Sequence, residues 1–101
     1  MKEVKLTRKI LRDMNDAEVD QFLACARVGR VGISVEDGPY VVPVGYAYSN
    51  GEIFHSCYQG LKMDGMRRNP RVCFEVDESL SDASMFKSVI VRGDIGFVDK
   101  T

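Results

Sequence analysis

The chain has a single histidine, His55, and three cysteines, Cys25, Cys57 and Cys73, none of them in a CxxC pair. That scarcity argues against a zinc or haem site built from this chain alone, because such sites draw several imidazole or thiolate ligands together. No apolar run approaches the roughly 18 residues of a membrane span, and the opening "MKEVKLTRKILRDM" lacks the apolar core of a secretory signal. With an odd, unspaced cysteine set, this makes a reducing cytoplasm the expected location. Charge of one sign is also missing: 14 Lys and Arg stand against 15 Asp and Glu, for a net charge of −1. The basic residues are scattered, so neither a nucleic acid nor a membrane surface is the natural partner. The glycine pair in "GRVG" has neither the G-x-G-x-x-G spacing nor the following helix of a dinucleotide-binding βαβ unit. Repeats and low-complexity segments are absent.

What is present is the composition of an ordinary globular domain, 45% hydrophobic and 29% charged over 101 residues. A chain of this length supports one domain, taken here as residues 1–101, and buries only about two thirds of its unfolded surface. A second subunit would add to so modest a core. In "NDAEVDQFLACA", Asn15 is placed to cap a helix with Glu18 as its capping-box partner, and Val19, Phe22, Leu23 and Ala26 follow at helical spacing. From Val28 the period changes to two. "VGRVGISVE" puts Gly29, Val31, Ile33 and Val35 on one face, and "EDGP" supplies a turn.

"PYVVPVGYAYS" continues as a strand, with Tyr40, Val42, Val44, Tyr46 and Tyr48 on one face and Val41, Pro43, Gly45 and Ala47 on the other. Asn50-Gly51 then closes a tight hairpin. Pro43 and Gly45 leave the second face small and poorly suited to pairing, as at an edge, a bulge or a surface that a ligand approaches closely. "EIFHSC" returns with Ile53, His55 and Cys57 on one face. "GLKMDGMRRN" is a short helix that must stop by Asn69, ahead of Pro70. "RVCFEVDE" turns Val72, Phe74 and Val76 inward, "SLSDAS" is a loop, and "FKSVIVRGDIGFV" places Val89, Val91, Ile95 and Phe97 opposite Ser88, Ile90 and Arg92. About five short antiparallel strands and two helices predict a mainly β, α+β fold: a small split barrel with an N-terminal helix and a short crossover helix.

The junction at residues 55–68 carries the most chemistry. Ser56 ends a strand, Gly60 and Leu61 open a helix, Lys62 lies in its first turn, and Arg67 and Arg68 follow. Free helix-start amides, a hydroxyl and a full positive charge suit a phosphate monoester. The alternative is a basic helix that only faces solvent. His55, alone on an apolar strand face, is either a packed ring with one hydrogen bond or a group at the same site.

The segment "FHSCYQGLKMDGMRRNPRVCFEVD", with "VGRVGISVEDGPYVVPVGYAY" before it and "SVIVRGDIGFV" after it, resembles the Nim-type (5-nitroimidazole resistance) proteins of the pyridoxamine 5′-phosphate oxidase-like FMN-binding split barrels, from about Asp16 to Val98. The run H-S-x-x-x-G-x-K followed by "NPRVCFEVD" is its most specific part. The resemblance implies FMN as cofactor, lined by Val42, Pro43, Val44, Gly45 and Tyr46. His55 and Ser56 would lie at its ribityl and phosphate end and Lys62 on its phosphate. It further implies a homodimer in which Ser88 reaches the partner's flavin, and a catalytic role for His55.

Two departures bear on substrate. The true pyridoxamine phosphate oxidases carry arginine at the position of Tyr40 and a C-terminal substrate-binding segment absent here, which disfavours vitamin B6 oxidation. Nim-type chains usually continue beyond the equivalent of Val98, so this one is short or truncated. The expected activity is flavin-dependent electron transfer from NAD(P)H to a small oxidant such as a nitroaromatic. The rival expectations are a non-enzymatic flavin- or haem-related binding module and a scaffold without ligand.

Overall fold

In the computed structural model, residues 2–7, 15–57, 60–79 and 86–98 are described. The elements in chain order are β1 (Lys2–Thr7), α1 (Asp16–Cys25), β2 (Val28–Val35), β3 (Gly38–Gly45), β4 (Ala47–Ser49), β5 (Glu52–Cys57), α2 (Leu61–Arg68), β6 (Arg71–Ser79) and β7 (Phe86–Val98). Seven antiparallel strands form one sheet in the order β3-β2-β6-β7-β1-β5-β4. The sheet curls until β3 approaches β5 without pairing to it in a ladder. That unzipped seam makes this a split barrel, the α+β fold expected from the residues.

The strand count exceeds the expected five by two. "KEVKLT" forms β1, inserted between β5 and β7 by register pairs such as Val4 with His55 and Val4 with Phe97. The helix α1 therefore follows a strand instead of opening the fold. The long strand expected over residues 39–49 is broken at Tyr46, whose amide donates to the Arg27 carbonyl at 3.1 Å. This bend carries the chain from one end of the sheet order to the other, from β3 to β4. The loop expected over "SLSDAS" lies largely outside the described residues.

The local chemistry accounts for the remaining elements. Asn15 accepts from the Glu18 amide at 2.8 Å and Glu18 Oε1 accepts from the Asn15 amide at 3.3 Å, so the capping box forms. Val19 and Leu23 of α1 are fully buried. The Asn50-Gly51 turn has φ of 52° and 80°, the pair of positive values that matches the twist of a two-residue hairpin. Inward residues of the strands, among them Val31, Ile33, Phe74, Val76, Val89 and Val91, form one core with Met63 and Met66 of α2.

Two glycines set how closely these layers pack. A Cβ on Gly65 would lie 2.8 Å from Val35 Cγ1 and 3.0 Å from the Ser34 carbonyl oxygen, so α2 rests directly on β2. A Cβ on Gly29 would lie 2.4 Å from Phe74 Cζ, in space that the Phe74 ring occupies. Tyr46 meets that ring edge-on at 5.0 Å and donates its hydroxyl to the Leu23 carbonyl at 2.7 Å, tying α1 to the β3–β4 bend.

Candidate functional site

The seam lies where β3 approaches β5, and α2 follows β5 in the chain. On its β3 side, Val42, Val44 and Tyr46 face the core, Val44 buried at 8% exposure and the other two partly buried. Pro43 and Gly45 are exposed on the outer face. β3 pairs only with β2, which makes it an edge strand whose other side carries backbone donors and acceptors not used in a ladder. This satisfies the expectation of an edge at Pro43.

On the β5 side, Ser56 is exposed and His55 faces inward at 4% exposure, because neighbours on a strand point to opposite faces. His55 Nδ1 lies 3.3 Å from the Ser56 carbonyl, an acceptor, so the proton belongs on Nδ1 and Nε2 presents a bare lone pair. Among the described residues that buried Nε2 has no hydrogen-bond partner. Burial pushes the imidazole below its ordinary pKa; the bond to Ser56 opposes the shift, and the neighbouring Lys62 ammonium adds to it. The shift favours the neutral ring.

The helix α2 starts at Gly60, whose φ of 155° is left-handed-side backbone and whose side-chain position is open, with nothing within 4 Å of a Cβ built there. Among the described residues no side chain caps this end. The first amides of α2 therefore retain their partial positive charge, and Lys62, half-buried in the first turn, adds a full one. Among the described residues no carboxylate pairs with Lys62. Such an end can hold an anionic oxygen group.

The two arginines that follow in the same helix are engaged elsewhere. The Arg67 guanidinium lies 4.6 Å from the centre of the Phe97 ring, and Arg68 sits 3.7 Å from Glu36. Neither partner is close in sequence, so nothing in the basic run itself distinguishes these arginines from Lys62.

Ser88 is not brought to this group within one chain. It lies on β7, three strands from β3 on the outer sheet face, about 14 Å away by strand spacing. Its hydroxyl donates to Glu75 Oε2 at 3.2 Å. Glu75 and Asp77 in turn accept from Arg30 at 3.2 and 3.1 Å, a cluster spanning three strands. Val28, Val41 and Ile90 flank it, at 61%, 62% and 38% exposure. No group of three or more metal-ligating side chains occurs among the described residues. No helix there is long and apolar enough to cross a membrane.

Known proteins share this antiparallel split barrel. The family described as pyridoxamine 5′-phosphate oxidase matches residues 15–101, and the chain belongs to that family. An uncharacterised protein of Rhizobium meliloti (strain 1021) is 34% identical over 83 residues, covering 82% of this chain and 54% of its own length. The crystal structure of a FAD-binding protein from Mesorhizobium loti shares 38% identity at a TM-score of 0.73, over 82% of this chain and 59% of that one. A candidate 5-nitroimidazole antibiotic resistance protein from Bacteroides thetaiotaomicron superposes at a TM-score of 0.74 over 96% of this chain and 64% of that one. At 23% identity the Bacteroides protein supports the fold alone. The chain thus spans roughly half to two thirds of these relatives' lengths.

Proposed function

We propose that this protein binds a flavin nucleotide along the β3–β5 seam, with the phosphate at the start of α2. The observation that carries the reading is the uncapped, open helix start at Gly60 with Lys62 beside it, directly after β5. Membership of the pyridoxamine 5′-phosphate oxidase family and likeness to a FAD-binding protein support it. The residues fit the group. Helix amides and Lys62 suit the phosphate, the free edge of β3 offers backbone hydrogen bonds to a flat heteroaromatic ring, and the small Pro43/Gly45 surface lets that ring approach. FMN is the smallest ligand that would use all of these; FAD carries the same first phosphate.

When bound, the flavin supplies the electron-transfer chemistry, which is why no catalytic triad or carboxylate pair is required. The chain's own residues hold the phosphate, orient the ring against β3 and keep water from its inner side. The proposed activity is reduction of a small oxidant, a nitroaromatic among the candidates, with NAD(P)H as donor. A second copy of the chain is proposed to complete the site. The exposed apolar residues around the Arg30–Glu75–Ser88 cluster form a patch that a two-fold partner could cover, presenting Ser88 to the neighbouring seam.

Purified protein should carry a yellow chromophore whose mass after denaturation is that of FMN or FAD. The chromophore should bleach with NADH or NADPH and recover with an added nitroaromatic. A bound flavin that neither nicotinamide reduces would make the protein a binding module; no flavin uptake by the purified protein would overturn the reading.

A further inference from the structure

The outer face of β3, β2, β6 and β7 carries no helix among the described residues, because Val19 and Leu23 of α1 and Met63 and Met66 of α2 pack into the core on the opposite face. The register fixes how its outward residues line up across the four strands. One row runs Pro43, Arg30, Glu75, Ile90. Two residues along, Gly45 stands beside Val28 and Ser88 beside Asp77. The two margins of the face therefore differ in height. On β3, Pro43 and Gly45 leave a hollow, and a Cβ built on Gly45 would meet only the Arg27 carbonyl oxygen, at 3.8 Å. On β7 the same positions carry Ile90 and Ser88. Charge divides along the midline between the margins, with the Arg30 guanidinium on β2 and the carboxylates of Glu75 and Asp77 on β6.

We infer that a second copy packs on this face about a two-fold axis running along the strands between β2 and β6, and that its Ile90 supplies the outer wall of the flavin slot at β3. This rests on the proposed function. Such an axis sets each β7 over the partner's β3 and each β6 over the partner's β2. Ile90 then stands over the partner's Pro43 and Ser88 over the partner's Gly45, while each Arg30 faces the partner's Glu75. Height and charge are both complementary in this arrangement. A two-fold running across the strands would lay β3 on β3, hollow upon hollow, and β6 with its two carboxylates on β6. Aligned sheets pack about 10 Å apart, and a serine opposite a glycine fills only part of that separation. The remaining space at the β3 edge suits a flat ring, with Ile90, 38% exposed in the single chain, as its apolar side. The seam of one copy is thus incomplete without the β7 of the other.

Mixed dimers test whether the wall belongs to the partner. Ile90→Ala alone should weaken FMN about tenfold, the worth of roughly two buried CH₂ groups. Two copies with different affinity tags, one carrying Lys62→Ala and the other Ile90→Ala, are produced together, and the mixed dimer is isolated through both tags. If Ile90 serves the partner's seam, one of its two sites combines an intact Lys62 with an intact Ile90, so an FMN titration should find one site of parent affinity per dimer. A mixed dimer of the parent with a copy carrying both substitutions should have none. The reverse pattern, none in the first dimer and one in the second, would show that Ile90 serves its own chain and would overturn the inference. Unchanged FMN affinity in Ile90→Ala, or a flavin-loaded parent that is monomeric, would also overturn it while leaving the flavin site standing. A parent protein that takes up no flavin would overturn both.

Discussion

Replacing Gly29 with alanine tests how tightly the core is packed around Phe74. An alanine Cβ would sit 2.4 Å from Phe74 Cζ, 2.7 Å from Cε2 and 3.0 Å from the Glu75 carbonyl oxygen, against ordinary carbon contacts of about 3.5–4.0 Å. Relieving the first two contacts means moving the Phe74 ring by about 1 Å. Phe74 is fully buried and held edge-on by Tyr46, and the third contact is backbone. Alanine gains about 0.5–1 kcal/mol over glycine in a strand, while overpacking a tight core costs about 1–3 kcal/mol. With so short an approach the overpacking lies at the upper end, leaving a net loss of about 2 kcal/mol. For a domain of this size that lowers Tm by roughly 8–16 °C, measurable by circular dichroism and confirmed by urea unfolding. Phe74→Leu alone should destabilise by opening a cavity. In Gly29→Ala/Phe74→Leu the two losses should be less than additive by at least about 1 kcal/mol, because the smaller side chain clears the new methyl. A Gly29→Ala protein as stable as the parent, or losses that simply add, would refute the packing argument.

Two further predictions follow from the site and its surroundings. His55 is held neutral, so the unfolded chain binds more protons between the depressed folded pKa and the ordinary value near 6.5. Its stabilising preference is therefore complete above that window and is lost as pH falls through it, at up to about 1.4 kcal/mol per pH unit. The parent minus His55→Gln difference in urea stability should be flat above about pH 7.5 and fall below 6.5; a flat difference down to pH 5 would show that burial does not suppress ionisation. Light scattering of flavin-loaded protein should give twice 11.3 kDa, and Val41→Glu, on the exposed outer face, should shift it toward monomer; a monomer that retains flavin would contradict a shared site.

The capping box at Asn15 and Glu18, the period-two strands and the Asn50-Gly51 hairpin were legible because each depends on residues within a few positions of one another. β1 was not: "KEVKLT" has only two apolar residues, and its strand state comes from pairing with β5 and β7, roughly 50 and 90 residues away. The break at Tyr46 was hidden because alternation runs unbroken through "VGYAYS" while the bend is set by the distant Arg27 carbonyl. At the site, the position of Lys62 at an open helix start could be read from Gly60 and the preceding strand. The diversion of Arg67 to Phe97 and the linking of Arg30, Glu75 and Ser88 could not, since only the folded sheet brings these residues into contact.

The phosphate position is tested most directly by titrating apoprotein and Lys62→Ala with FMN and with riboflavin at fixed salt. Loss of the one positive charge in the first turn of α2 should weaken FMN by about 1.5–3 kcal/mol, the worth of a charge-assisted contact, or roughly ten- to hundredfold. Riboflavin affinity should stay within about twofold, a difference of some 0.4 kcal/mol. If Lys62→Ala binds FMN as tightly as the parent does, or loses both flavins equally, the phosphate does not lie at the start of α2.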